Sequence, residues 1–266
     1  MGIYMMVNGL SFTAEQARSM RSVAFRLGML PFTTAAYDFQ SQIGTEDVPV
    51  STVIPSLVPD QPTSVITVSG AFASAVTNKG LLMTSSTANE YAVLPDEFKL
   101  NWETDPSYML SIWYTNIAPV SAVTYAPFIG WANNSSDKKW ALGPWANAAK
   151  NTWFLEGSYV DLDTMADTSG TPQMVAAFVR RAGVGVCNIN FYHNGVLKAV
   201  RTGVSYAADP TVTAGSPRIG KMPSLNGTYS GVVHSAQVAK IPSTSITDEA
   251  GWAAQEYADH LTRYTV

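Results

Sequence analysis

Hydrophobic and polar positions switch with a short period through the second half of the chain, and the run Asn188–Val200 shows it best. Asn194-Gly195 suits a two-residue type I′ turn, in which both central residues need φ > 0. That turn predicts pairing of His193 with Val196, Phe191 with Lys198, and Ile189 with Val200. Ile189, Phe191, Val196 and Val200 then share one face with His193 and Lys198, while Asn188, Asn190 and Tyr192 point the other way. The strand before it, Met174–Arg181, joins through Ala182-Gly-Val-Gly185, so 174–203 reads as a three-stranded meander. Further strands are expected within 64–75 and at 90–94, 108–115, 126–131, 138–143, 152–156, 217–222 and 230–240. Many short strands parted by Gly, Pro and Asn turns indicate a sandwich rather than alternating βαβ units.

Helical spacing occurs at the two ends. Thr13-Ala-Glu-Gln16 matches a capping box, and Ala17, Met20, Val23, Ala24 and Leu27 follow at helical intervals until Gly28 and Pro31. This predicts an amphipathic helix over about 13–28, then an extended, proline-punctuated segment to residue 61. A helix of this length is marginal alone and must pack on its own chain or on a neighbouring subunit. A closing helix is expected from about Thr247, with Asp248 and Glu249 at its positive end and Ala250, Ala253, Tyr257 and Leu261 as its inward stripe.

Three segments, in order, carry a resemblance. Tyr91–Leu100 followed by Tyr108–Tyr114 looks like an opening strand, loop and strand. Phe191-Tyr-His-Asn-Gly-Val196 is similar to a "Y-x-N-G" hairpin. Arg218-Ile-Gly220, Asn226-Gly-Thr-Tyr-Ser-Gly231 and the closing helix are similar to an "iG…fnG" ending. Together they resemble the concanavalin A-like, laminin-G-like sandwich family over residues 62–262. The resemblance implies a mostly β fold: an antiparallel jelly-roll sandwich over 62–266, with residues 1–61 as a separate arm for assembly or anchoring. The chain departs from the family at Tyr229-Ser-Gly-Val-Val-His234, where many relatives carry an acidic pair.

Composition narrows the partners. Only 14% of the 266 residues are charged, against about 25% typically, and Ser, Thr, Asn and Gly take the surface positions instead. With a net charge of −4 and no Lys/Arg run beyond two residues, nucleic acid is not an expected partner. The single cysteine, Cys187, excludes an intrachain disulfide and reads as a small packing residue. No basic stretch precedes the first apolar residues, so no signal peptide is expected, and no apolar run is long enough for insertion in a membrane. An adhesive sandwich without disulfides or a leader either works inside a cell or leaves by lysis or a dedicated machine, as virions do.

Catalytic motifs are mostly missing. There is no phosphate loop, no nucleophile elbow and no zinc-binding His-Glu-x-x-His. Glycoside hydrolases of related fold need two close carboxylates in Glu-x-Asp-x-x-Glu; here Glu103-Thr-Asp105 begins that pattern, but Tyr108 stands where the second Glu belongs. His193 and His260 read as solvated, and His234 as a structural histidine inside an apolar strand. Asp161, Asp163 and Asp167 form an acidic loop that suits Ca²⁺ in ligand type, with a solvated loop as the other reading. Trp131, Trp140, Trp145 and Trp153 stand near Asn133, Asn134 and Asp137, a mixture of ring faces and polar groups suited to a sugar. The competing reading puts Trp131, Trp140 and Trp153 in the core and leaves Trp145, in a loop, exposed.

The expectation is therefore a non-enzymatic structural protein of a bacteriophage virion: a capsid decoration, tail or tail-fibre component with a lectin-like domain. It would need no cofactor, bind glycans of a host or its environment, and join copies of itself or other virion proteins through the arm. A carbohydrate-active enzyme and an adhesin exported without a leader are the alternatives.

Overall fold

The computed structural model describes residues 29–30, 32–42, 48–58, 65–69, 80–83, 91–100, 107–117, 127–132, 138–145, 150–155, 158–164, 170–206, 215–222, 230–242 and 248–264. The strands among them, in chain order, are β1 (Thr33–Asp38), β2 (Val53–Pro55), β3 (Val65–Val68), β4 (Leu81–Met83), β5 (Tyr91–Val93), β6 (Ser107–Asn116), β7 (Ile129–Ala132) and β8 (Lys138–Trp145). They continue with β9 (Lys150–Leu155), β10 (Ser158–Thr164), β11 (Pro172–Gly183), β12 (Val186–His193), β13 (Val196–Ser205), β14 (Arg218–Gly220) and β15 (Gly231–Lys240). A short helix α1 (Phe39–Gln42) follows β1, and α2 (Glu249–Tyr264) follows β15.

These strands form two antiparallel sheets packed as a sandwich. The first runs β1-β15-β6-β11-β12-β13, with β4 also paired to β15; the second runs β10-β9-β8-β7-β14-β5-β3-β2. Their inner faces meet in one apolar core that includes Tyr37, Phe98, Tyr108, Tyr114, Trp131 and Trp140. Tyr114 stacks on Phe128 at 4.7 Å between ring centroids. The fold class expected from the strand spacing is the one observed. Cys187 lies in this core, where burial pushes its thiol up to about 12, as a packing residue requires.

The meander β11–β12–β13 forms as the alternation predicts, and its turn has φ 51° at Asn194 and 77° at Gly195. His193 pairs with Val196 as expected, but the register then shifts by one residue. Phe191 faces Ala199 and Ile189 faces Arg201, with an irregularity between Phe191 and Tyr192. The slip puts small Ala199 beside the buried Phe191 and Val200 opposite Asn190, turned to solvent at 52% exposure, while Val196, still opposite His193, is itself 56% exposed. The predicted shared face of Ile189, Phe191, Val196 and Val200 is thereby corrected.

Two further expectations change. The boundary at residue 61 does not follow the sheets: β1 pairs with β15 from Thr33 to Asp38, and β2 pairs with β3. Ala35, Tyr37, Phe39 and Ile54 are buried in the shared core, so 33–55 belongs to the sandwich. The expected helix over 13–28 lies outside the described residues. The acidic loop is also corrected, because Asp161 and Asp163 stand on β10, paired with Thr152 and Asn151 of β9, with a register shift between them.

A second apolar layer covers the outer face of the first sheet. Met109, Trp113, Met174, Phe178 and Tyr192 project there and pack under Ala253 and Tyr264 of α2. Asp248 caps the helix, accepting from the Gly251 N–H at 2.9 Å. Its buried face is Glu249, Ala253, Glu256, His260 and Tyr264, displaced from the expected Ala250–Ala253–Tyr257–Leu261 stripe. The sheet under it offers polar partners, so the helix turns charged and polar side chains inward.

Candidate functional site

The sugar-binding reading of the sequence rests on tryptophans and neighbouring amides. Trp131 and Trp140 pair across β7 and β8 and lie inside the core, at 2% and 0% exposure. Their indole N–H groups donate to the carbonyls of Gly215 at 2.8 Å and Phe98 at 3.2 Å. Neither presents a ring to a ligand, because strand alternation directs both inward, and they leave the candidate set. Trp145 is the last residue of β8, paired with Lys150, rather than a loop residue. Asn133, Asn134 and Asp137 fall between β7 and β8, outside the described residues, as does Asp167. Among the described residues no group of three His, Cys, Asp or Glu is placed to hold a metal ion.

The histidines divide differently from expectation. His234 is structural, as expected: its Nε2 lies 2.7 Å from Thr115 Oγ1 and its ring stacks on Tyr264 at 4.6 Å. His193 and His260 are buried rather than solvated. His193 shares Gln173 Oε1 with the Asn194 side chain, which stabilises the hairpin from behind.

Beneath α2 polar side chains of the helix and the sheet meet in a connected set, in which Glu256 Oε2 alone of the Glu256 and Glu249 oxygens is buried without a hydrogen-bond partner. Arg180 donates from Nε and Nη2 to Glu249 Oε1, at 2.8 and 2.5 Å, and Asn190 Nδ2 donates to Glu249 Oε2 at 2.8 Å. Trp113 Nε1 donates to Glu256 Oε1 at 3.2 Å, and the Trp113 ring stacks on Tyr257. His260 Nδ1 donates to the Glu256 carbonyl at 2.9 Å, which fixes its tautomer because a carbonyl only accepts. His260 Nδ1 also comes within 3.4 Å of Glu256 Oε2, but this contact is not an ion pair. Burial pushes the Glu256 carboxyl up to about 8, partly opposed by the Trp113 hydrogen bond, and burial also pulls His260 down. Both are neutral near pH 7. Arg263 donates to Gln40 Oε1 and Asp38 Oδ2, tying the helix end to β1 and α1. This cluster is covered by the helix and serves packing.

The outer face of the second sheet is arranged otherwise. Ile66, Ala92, Ile219, Ile129, Trp131, Trp140 and Leu142 occupy the core, so alternation sends Thr67, Tyr91, Val93, Arg218, Gly220, Gly130 and Ala141 to the other side. The register sets Thr67, Val93, Arg218, Gly130 and Ala141 in one row across β3, β5, β14, β7 and β8, and carries it to the Phe154 and Tyr159 positions of β9 and β10. Gly130 has to be glycine: a Cβ there would stand 2.8 Å from both the Ala141 methyl and the Trp140 carbonyl oxygen. Gly130 and Ala141 are both buried, and next to them stands Arg218, half-buried, with its guanidinium carbon 4.1 Å from the centre of the Tyr91 ring. Its Nε–H is buried and donates to no acceptor. Burial pulls Arg218 below its ordinary value, opposed by Tyr91. In the sequence Arg218 stands out only as part of the Arg-Ile-Gly strand. The signal that singles it out is alternation, since a residue flanking the core residue Ile219 must lie on the outer face.

No family model matches the chain, and no curated protein matches it. Solved structures do. A Trypanosoma rangeli sialidase in complex with 2,3-difluoro-KDN is similar with a TM-score of 0.60 at 12% identity, over 93% of this chain and 39% of that one. Domain 4 of AbnA, an extracellular GH43 arabinanase of Geobacillus stearothermophilus, in complex with arabinotriose, is similar with a TM-score of 0.50 at 14% identity, over 85% of this chain and 98% of that domain. The binding domain of botulinum neurotoxin DC in complex with rat synaptotagmin II gives a TM-score of 0.51 at 13% identity, over 86% and 52%. The chain thus spans well under half of the sialidase and about half of the toxin domain. At these identities the likeness is one of fold.

Proposed function

We propose that this chain is a non-enzymatic, glycan-binding β-sandwich carried on a bacteriophage virion. The observation that carries the binding part is the outer face of the second sheet. A half-buried cation, Arg218, and the half-buried ring of Tyr91 lie together there, a pairing of directed polar group and apolar ring that a sugar uses. The similarity to an arabinanase domain held with arabinotriose, matched over nearly its whole length, supports the same reading. The non-enzymatic part is supported by Tyr108, which replaces the second carboxylate of the hydrolase pattern and is itself buried. The virion part rests on the scarcity of charge and the sequence pattern of residues 1–28, which fits a helix that docks on another copy or another virion protein.

A glycan array with the full chain, run beside an assay for released reducing sugar, tests binding against hydrolysis. Binding without release is the expected result; release of sugar would favour the enzyme reading. Trp145→Ala and an Asn133/Asn134 double replacement then ask whether the residues between β7 and β8 and the end of β8 contribute to the same binding. Incorporation of tagged chains with and without residues 1–28 into particles tests the mounting.

A further inference from the structure

We infer that the corner between α2 and β13, on the outer face of the first sheet, joins two copies of this chain in a two-fold symmetric dimer.

α2 covers only part of that face. Its first residue, Glu249, reaches Arg180 of β11 and Asn190 of β12. Its middle lies against the hairpin, where a Cβ on Gly195 would meet Ala254 Cα and Tyr257 Cβ at 3.1 Å. β13 runs one strand further out, at the edge of the sheet. Leu197 is paired with Tyr192 and Val200 with Asn190, and both partners face α2, so Leu197 and Val200 stand on the same side. They are 46% and 52% exposed. Ala250 and Leu261 share the helix side of Ala254 and Tyr257, so this stripe flanks β13; the two alanines are exposed and the two larger residues half-buried. Single apolar residues on a surface need no explanation, but a contiguous patch marks a contact.

Shape and charge name the occupant. β13 presents large aliphatic side chains, whereas α2 presents small ones: Ala250, Gly251, Ala254, Ala258 and Thr262 are exposed, and Asp259 is the one charged residue among its exposed positions. A two-fold axis through the corner lays Leu197 and Val200 of one copy on the alanines of the other and repeats the contact in reverse. It also brings Lys198 and Arg201, on a strand with no carboxylate, toward Asp248 and Asp259 of the second copy. Residues 13–28 fit the corner poorly. They carry Arg18, Arg21 and Arg26 against Glu15, which would set cations over Lys198 and Arg201. Leu30, just beyond them, packs on the layer under α2 and bonds to Thr33 of β1, at the opposite edge of the sheet and about 24 Å from β13. With α2 about 24 Å long, the corner offers roughly 500 Å² per copy, the low end for a specific interface, so a micromolar dissociation constant is expected. Joined this way, the two copies turn the outer faces of their second sheets away from each other.

Sedimentation equilibrium of the full chain, from about 1 to 100 μM, should show a monomer–dimer equilibrium. Leu197→Glu with Val200→Glu places carboxylates on the aliphatic half of the contact and should raise the dissociation constant tenfold or more. Ala258→Arg, on the helix half, should do the same. All three positions are exposed, so thermal melts should report folded variants. Met20→Asp with Val23→Asp, which breaks the apolar face expected over 13–28, should leave the constant unchanged. A wild-type monomer at every concentration would overturn the proposal, as would folded corner variants that dimerise like wild type. A dimer lost only on the Met20 and Val23 change would also overturn it, because residues 13–28 would then join the copies.

Discussion

On the outer face of the first sheet the polar groups come with partners supplied by α2. Arg180 and Asn190 share Glu249, Trp113 donates to Glu256, and His234 lies against Tyr264. On the outer face of the second sheet Arg218 has a ring beneath it and no acceptor for its Nε–H. Both faces arise from the same two-residue alternation, which sends every second side chain away from the core. They differ in the cover that the chain provides. Where α2 closes over a face, Arg180, Asn190 and Trp113 are matched within the chain through an unusually polar inward helix stripe, although Glu256 Oε2 has no hydrogen-bond partner. On the second sheet's outer face no described element supplies an acceptor to the buried Arg218 Nε–H. The two faces therefore differ in how much of their polar surface the chain itself covers and pairs.

The largest effect that would break this comparison concerns the part of the chain that builds the first face. A chain beginning at Gln61 loses β1 and β2, and with them Tyr37, Phe39 and Ile54 from the core and Asp38 from its bond with Arg263. It is expected not to fold, whereas a chain beginning at Met29 should. Circular dichroism and size-exclusion chromatography of the two truncations check this. A folded Gln61 chain would mean that the sandwich closes without its β1 edge.

Next in size is a pH effect confined to the helix-covered face. The Glu256 carboxyl is held up to about 8 in the fold, so the fold keeps a proton that the unfolded chain gives up near 4.5. Its contribution to stability is complete below that lower value and is lost as pH rises toward about 8. His260 is pulled down by burial, so its contribution has the opposite slope: charging it is unfavourable in the fold, and stability falls as pH drops below about 6.5. The two slopes oppose one another on the acidic side. Above pH 6.5 only the Glu256 slope remains, and stability should fall by roughly 2 kcal/mol between about pH 6.5 and 9. Glu256→Gln, which keeps an acceptor for Trp113 and cannot ionise, should flatten that decline. Urea unfolding across this pH range measures it; a wild-type curve flat above about pH 6.5 would show Glu256 ionised in the fold.

A third effect tests the packing of the hairpin on the helix. Gly195 has φ 77°, and a Cβ there would meet Ala254 Cα and Tyr257 Cβ at 3.1 Å. Gly195→Val adds a β-branched residue at positive φ and presses it against α2, so it should destabilise by about 1–3 kcal/mol. An unchanged melting temperature would contradict both the turn type and the close approach.

How far these features are legible in the sequence depends on how local each one is. The meander is legible because alternation and an Asn-Gly turn are local properties. Its slipped register is not, since it depends on Ala199 fitting beside Phe191 across the strand pair. Alternation tells that Trp131 and Trp140 share a side but not that this side faces the core; that is settled by the second sheet packing against the first. The helix is legible from its cap, but an apolar criterion misreads its inward face, because the partners waiting on the sheet are Trp113 N–H, Arg180 and Asn190. β1 escapes notice because its small residues between proline-rich stretches look like linker, and only pairing with β15 makes them core. Arg218 looks like one more strand residue, because an orphaned N–H is a property of surroundings and not of sequence.

The smallest effect sharpens the comparison most. Arg218→Met removes a cation from the second sheet's outer face and keeps most of the apolar stem. What is lost is the contact with the Tyr91 ring, worth about 0.5–1 kcal/mol at such sites. What is gained is relief from a buried N–H without an acceptor, a penalty of comparable or greater size. The balance is neutral to stabilising, so the free protein should lose no more than about 0.5 kcal/mol. Had Arg218 been a structural residue like Arg180, its removal would leave a carboxylate unpaired and cost several times more. Chemical unfolding of wild type and Arg218→Met, without any glycan, separates the two cases. A loss above about 2 kcal/mol would mean that Arg218 holds the fold together.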